Sequence, residues 1–547
     1  MKIKHQGYLW FAGIIMTAGL VSIPLVGIAF TLFQPRWEIW KYLWETRLPE
    51  LIWNTVRLAA AVGVGTFILG TSLAWLVVMY SFPGRKWLEG LLLLPLAMPG
   101  YVLAFVVVSQ WDYFGVFPTM IRSWFGKDSW IPDVHSFFWV AMVMSLVLYP
   151  YVYLAARAAF REQNQELLNA ARLLGTSHRQ LFTRLALPLA RPSITAGMAL
   201  ALMECLADFG TVGTFSYDTF TTAIYEMWYG MYDRHAGIQL AGMLLLCTLA
   251  LFWIERKTRG KAEYFQLHGK RKPLMPKPLS GVKALIAAGY PMLVLTMSFF
   301  YPVGILLFWV TSGIDEKFDH RYLEALFNTL KLAGLAAMIT LAVAILLAYG
   351  KRLFPFKMIT GMIRFSSMGY ALPGTVIAVG VLIPLGWLDR TLNDWSEQLW
   401  HQPVGLIFTG TIVGMLFAYV VRFLSVGFSA VDSSLVRVLP SMDMAAKTLG
   451  ASRISILRKI HLPMIEGGLL TGFIIIFVDV MKELPATLIL RSFGQDTLAT
   501  RIWQLTKESY WADAALPALT IVMIAIIPVW LLIRSGRTKP EKDGDLS

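Results

Sequence analysis

Charge is scarce in this chain. Asp, Glu, Lys and Arg make up 15% of its 547 residues, and hydrophobic residues make up 56%. A soluble domain carries roughly 25% charged and about 45–50% apolar residues. A soluble enzyme of this length is excluded for want of charged surface, and disorder by the apolar excess. Cysteine is nearly absent: Cys205 and Cys247 both sit in apolar runs. That rules out a disulfide framework and a Cys-rich metal site. The eight histidines are scattered, without an HxxxH pair. No GxxxxGK[ST] phosphate loop is present, and Gly126-Lys127 and Gly269-Lys270 both lack the rest of it. HExxH and GxSxG are missing too, so the chain is expected to be no enzyme and to hold no cofactor of its own.

Long apolar runs fill the space. Mean hydropathy is +0.59. About 20 apolar residues span a bilayer core. Twelve such runs fall at 8–33, 52–80, 88–110, 136–156, 193–215, 237–254, 284–311, 328–350, 362–386, 404–429, 465–490 and 514–533. Helices are the element that satisfies its own backbone in lipid, so the fold class is an all-α polytopic membrane protein. The first run follows a basic start, Lys2, Lys4 and His5. It exceeds the about 7–15 residues of a signal-peptide core, and no A-x-A site follows, so it is expected to stay as a helix.

Twelve spans put both termini on one side. Loops on that side hold 31 Lys and Arg; those on the other hold 12. The positive-inside rule places both termini in the cytoplasm of a bacterial inner (plasma) membrane. The net charge of +14 reflects this bias, and nucleic acid is not an expected partner. The stretch 255–283 carries nine Lys and Arg with Pro273, Pro276 and Pro278, and reads as a linker facing anionic lipid.

The linker joins two copies of one pattern. Asn54-Thr55-Val56-Arg57-Leu58 returns as Asn328-Thr329-Leu330-Lys331-Leu332, and Pro99-Gly100 as Pro373-Gly374, both at an offset of 274. Six spans per copy give the halves the same orientation, with a pseudo-two-fold axis along the membrane normal. The organisation is a first half over 1–260, a linker over 261–283, a second half over 284–535 and a tail over 536–547.

Each half has a long cytoplasmic loop after its fourth span, at 161–188 and 433–463. In the first, Leu167, Leu168, Ala171 and Leu174 fall at helical spacing, and Gly175 ends the helix. Asn169, Ala170, Ala171, Gly175, Leu187 and Pro188 match Met444, Ala445, Ala446, Gly450, Leu462 and Pro463 at an offset of 275. On physics alone this is equally a helix lying on lipid. The duplicated spacing resembles the EAA signature of bacterial ABC-importer permeases with MetI-like domains, although Asn169 and Met444 replace its usual first Glu. The resemblance implies that each loop is a coupling helix seated in one of two cytoplasmic ATPase subunits. ATP and Mg would be bound there, and the halves would alternate between inward-open and outward-open states.

Four carboxylates lie within spans: Glu204 and Asp208 in the fifth, Asp479 and Glu483 in the eleventh. An intramembrane charge costs about 2.5–3.5 kcal/mol on insertion scales. Each pair has i, i+4 spacing, which would place both members on one helix face. Two readings stand equally. The acids line one polar path suited to a hard cation, without a tightly held metal. Alternatively they are structural, with Lys482 neutralising a neighbour and backbone bonds at bent helices taking up the rest.

The flanks, Ala207-Asp208-Phe209-Gly210-Thr211-Val212 and Lys482-Glu483-Leu484-Pro485-Ala486-Thr487, resemble fused ferric-iron permeases. So do 218–225 and 496–500. The resemblance implies a periplasmic or lipid-anchored iron-binding protein outside. Thiamine importers have a similar fused permease, so another small solute remains the alternative. An ion-coupled secondary transporter is the remaining rival. Pro95, Pro99 and Gly100, matched in part by Gly369, Pro373 and Gly374, read either as packing kinks or as a gate near the axis. Trp111, Tyr113, Phe114, Phe117, Trp124 and Trp130 on the outward side read as a membrane-interface belt or as a docking surface.

Overall fold

The computed structural model describes residues 2–32, 37–231, 233–259, 276–312 and 318–535. Most of the expected linker and the tail 536–547 lie outside the described residues. Eleven helices among those described are long and apolar enough to cross a membrane. They become twelve if Arg453–Met464 and Glu466–Lys482, bent by 74°, form one span. The end of the linker is anchored: Lys277–Pro278 pairs in parallel with Tyr80–Ser81 at the foot of the second span.

Four expected spans are not continuous, and the breaks match between halves. The third is split into Arg85–Leu91, a 3₁₀ turn Leu94–Ala97, and Gly100–Trp111. The ninth repeats this as Lys357–Ser366, Ser367–Ala371 and Gly374–Trp400. Pro99 and Pro373 force both breaks, because each lacks an N–H and presets φ for the helix it precedes. The fifth span, read as helical to 215, ends at Ala207, and the eleventh, read to 490, ends at Lys482. Short helices follow at Gly210–Thr214 and Pro485–Leu490. Asp208 and Glu483 therefore sit at helix C-termini in extended backbone, at ψ 131° and ψ 114°. The shared helix face expected for each carboxylate pair is corrected accordingly. Broken backbone at membrane depth survives where protein covers it or where it lines a cavity.

The halves are interleaved. The first span, Lys2–Leu32, packs on the helices His320–Leu353, Lys357–Ser366 and Gly374–Trp400 of the second half. Glycine permits the approach: a Cβ on Gly380 would stand 2.8 Å from the Pro24 carbonyl oxygen. Reciprocally, Gly281–Leu295 and Tyr301–Thr311 pack on the first half. Two apolar cores result. One joins Leu58–Tyr217 side chains to Leu295, Leu306 and Val522. The other joins second-half side chains to Ile14, Ile28, Ile224 and Leu240.

The repeated asparagines hold the segments after each break, joined in the second half by Thr329. Asn328 Nδ2 donates to the Gly494 and Asp496 carbonyls at 3.2 Å, and Thr329 Oγ1 accepts from Leu498 N at 2.8 Å. Asn54 meets the Tyr217 hydroxyl at 3.2 Å in the equivalent place.

Candidate functional site

A cavity of about 170 Å³ opens where the two sets of broken helices face each other. Its wall carries all four intramembrane carboxylates: Glu204, Asp208, Asp479 and Glu483. Two cations share it, Lys482 and Arg422. Arg422 had no expected role. Its signal was an arginine standing alone in the apolar run of Ile412–Leu435, a position that costs too much to be idle.

The carboxylates are held differently. Asp208 Oδ1 accepts from the backbone N–H of Thr211 at 2.9 Å and of Val212 at 3.2 Å. Its Oδ2 accepts from Thr211 Oγ1 at 2.7 Å. Glu483 Oε1 accepts from Ala486 N at 3.0 Å. Each acid thus caps the short helix that follows it. The duplicated Pro-Gly pairs stand against these caps. A Cβ on Gly100 would lie 2.4 Å from Thr211 Oγ1, and one on Gly374 would lie 2.4 Å from Glu483 Oε1. Both glycines are therefore required by close approach.

Arg422 completes the second site, with Nη1 and Nε each 3.3 Å from a Glu483 oxygen. Asp479 lies 3.7 Å from Lys482 Nζ, which also donates to the Leu96 carbonyl across the half interface at 3.3 Å. Among the described residues Glu204 makes neither a hydrogen bond nor an ion pair. The structural reading thus describes Asp208, Asp479 and Glu483, and leaves Glu204 facing the cavity unclaimed. No three His, Cys, Asp or Glu side chains among the described residues gather closely enough to hold a metal ion.

The two loops form helices at Gln165–Leu173 and Pro440–Thr448. Asn169 and Ala170 lie exposed on the first and Met444 and Ala445 on the second, while Ala171 is half-buried and Ala446 buried. The spacing of the motif has a mechanical cause. Gly175 and Gly450 both adopt φ +81°. The Ala170 and Ala171 carbonyls then accept from Leu174 and Thr176, and those of Ala445 and Ala446 from Leu449 and Ala451. This is a Schellman turn in both copies, and it fixes the distance from Ala-Ala to Gly. Leu187-Pro188 and Leu462-Pro463 follow π-helical turns at Leu181–Ala186 and Leu457–His461. The widened turn accommodates a proline that cannot donate.

The apolar face expected over Leu167, Leu168, Ala171 and Leu174 is split. Leu168 is buried, while Leu167 and Leu174 are exposed. Leu173 and Leu449 are 89% and 87% exposed. Apolar side chains left bare at both turns mark a contact surface.

The anchors of the two helices differ. In the second half the Asp443 carboxylate accepts from Arg352 Nε at 2.9 Å and meets His461 Nε2 at 2.7 Å. Arg352 also donates to the Leu435 and Val438 carbonyls. Burial pushes the Asp443 carboxyl up, but the bonds from His461 and Arg352 outweigh it and hold it below the usual aspartate range.

Residues 66–257 and 341–537 each match the family model described as the binding-protein-dependent transport system inner membrane component. The chain is 27% identical over 494 residues to the Fe(3+)-transport system permease protein FbpB 2 of Haemophilus influenzae, covering 90% of each chain. It is 23% identical to the ferric transport system permease protein FbpB of Actinobacillus pleuropneumoniae, covering 90% of this chain and 72% of the relative. The sulfate transport system permease protein CysT of Escherichia coli is 26% identical over 42% of this chain and 84% of its own. Among solved structures, a bacterial alginate ABC transporter chain matches at 16% identity with a TM-score of 0.37, covering 46% of this chain and 93% of its own. Two matched segments spanning most of the sequence settle the family: the chain belongs to the binding-protein-dependent transport system inner membrane components.

Proposed function

We propose that this chain is the permease of an ABC importer whose cargo is ferric iron. Four carboxylates lining one cavity between the halves carry the reading. Oxygen ligands suit a hard cation. The wall sets these four carboxylates against two cations, Arg422 and Lys482. The names of relatives matched over 90% of the chain support the same cargo.

In this reading a binding protein delivers the ion on the side away from the coupling helices. Two separate ATPase subunits bind ATP and Mg, and each receives one exposed helix, Gln165–Leu173 or Pro440–Thr448. Their closure draws the two helices together and tips the interleaved halves from one access state to the other. The loop charge bias supports cytoplasmic termini. Weak, successive contacts suit passage better than a tight metal site, which would trap the ion.

The test is uptake into proteoliposomes holding this chain with its ATPase subunits. Radiolabelled ferric iron and thiamine are each supplied on a binding protein, with ATP at the coupling-helix side. ATP-dependent iron uptake, lost when the four acids become amides, is the expected result. Iron uptake that survives those changes keeps the cargo and overturns the carboxylate path. Thiamine uptake alone overturns the cargo.

A further inference from the structure

On the side away from the loop helices, two segments related by the repeat contribute to the cavity wall through residues 208–211 and 483–485. In the first half, residues 208–230 fold as Gly210–Thr214, Phe220–Tyr225 and Glu226–Gly230. In the second, 483–507 fold as Pro485–Leu490 and Leu498–Lys507. Beyond them lies a second, outer pocket of about 350 Å³ lined by Asp218, Glu226, Trp503 and Lys507. Phe209 lines both the inner and the outer space. The partition between them is therefore one side chain thick at this point.

Phe209 does not stand alone. Its ring centroid lies 4.9 Å from that of Trp503, across the half interface, and 5.0 Å from Tyr225. Gly213 presses on the same indole: a Cβ there would be 2.6 Å from Trp503 Cη2. Both rings are almost wholly buried. Rings in such contact attract beyond the area they bury.

Two hydrogen bonds cross the interface at the rim. Lys507 Nζ donates to the Gly213 carbonyl at 3.2 Å while lying 4.7 Å over the Trp503 ring. Tyr229 Oη donates to the Ile489 carbonyl at 2.6 Å. The bonds are reciprocal. In each, the later helix of one half reaches the short post-break helix of the other. One donor is charged and the other neutral.

We propose that Phe209 and Trp503 form the outward septum of the cavity, and that Lys507 and Tyr229 are its latches. Separation of the halves at this end breaks both bonds and parts the rings, joining the outer pocket to the carboxylate cavity. In the outer pocket a cation would be drawn to Asp218 and Glu226, beside the Lys507 ammonium. Repulsion would loosen its hold on the Gly213 carbonyl, so a cationic cargo favours its own entry. This last step rests on the ferric-iron reading; the septum and its latches do not.

The test reads access and needs no iron. Cys205 and Cys247 are replaced by serine, and Leu96, on the inner cavity wall, becomes the reporter as Leu96→Cys. Spheroplasts carrying the full chain with its ATPase subunits receive a membrane-impermeant thiol reagent from outside. Labelling in denaturant gives the total. With Phe209 and Trp503 intact the reporter should label slowly. Trp503→Ala or Phe209→Ala should speed labelling at least tenfold. Lys507→Met with Tyr229→Phe removes only the two bonds and should speed it severalfold, with the chain still eluting as a single species. An unchanged rate in the ring variants overturns the septum. A rate unchanged in the latch pair overturns the latches. Either result leaves iron uptake by the parent chain as a separate question, so failure here is not failure of the cargo reading.

Discussion

The two halves share a backbone plan, yet they differ in charge at equivalent places. At the offset of 275, Arg422 corresponds to Val147 and Lys482 to Ala207. Asp443 corresponds to Leu168 and His461 to Ala186, and both first-half partners are buried apolar residues. The second half thus neutralises its cavity acids with its own cations and fixes its coupling helix by an ionic cluster. The first half leaves Glu204 without an ion-pair partner among the described residues and places buried Leu168 and Ala186 where that cluster stands. Duplication preserved what the backbone needs: Pro-Gly at the breaks, the carboxylate caps and the Schellman glycines. It did not preserve the electrostatics. The resulting cavity is one-sided, with both of its cations on the second half.

The sharpest way to break this comparison is to remove one of the two cations that only the second half has. Arg422→Met leaves Glu483, 5% exposed, without its partner. Breaking a buried pair from one side costs about 3–5 kcal/mol, whereas removing both members is far cheaper. Arg422→Met with Glu483→Gln should therefore recover most of the loss in chemical unfolding from mixed micelles. Asp208→Asn in the first half should cost less, about 1.5–3 kcal/mol, because only charge-assisted bonds to Thr211 and Val212 weaken. Equal losses in the two halves would contradict the asymmetry.

Transport offers the next comparison. Glu204 and Asp479 are equivalent by the repeat, but Asp479 is engaged by Lys482. Glu204→Gln is expected to slow iron uptake about tenfold, worth about 1.4 kcal/mol. Asp479→Asn should slow it only a few-fold. The reverse order would place the working carboxylate on the second half.

Much of this was legible in the sequence, and the exceptions have physical causes. Hydrophobic run length identified the spans, because lipid imposes a length on every helix that crosses it. The Ala-Ala to Gly spacing identified both Schellman turns, because that turn has a fixed count of residues. The helix ends at Ala207 and Lys482 were not read, although Gly210 and Pro485 marked where new helices begin. Hydropathy is blind to such breaks, since the residues on either side stay apolar. Interleaving of the first span was not legible at all. It depends on which half a helix packs against, and Gly350 and Gly380 reveal their use only beside Ile14 and Ile28.

The smallest expected effect tests the coupling-helix anchors. Asp443 is depressed in the folded state, so its contribution to stability is present above the unfolded-state pKa, about 3.9, and is lost as pH falls through the lower folded value. Asp443→Asn should cost about 1 kcal/mol at neutral pH and progressively less below pH of about 4, where the parent chain loses the same bonds. Parent and variant stabilities should therefore converge on acidification. The first half supplies the control. Leu168→Ala removes a buried side chain at the equivalent anchor, with a loss that does not change with pH, because nothing that titrates is removed. Convergence in the Asp443 variant and a constant gap in the Leu168 variant would establish that the Asp443 anchor works by charge and the equivalent Leu168 anchor by packing. A constant gap in both would mean that Arg352 and His461 hold the second helix without the Asp443 charge.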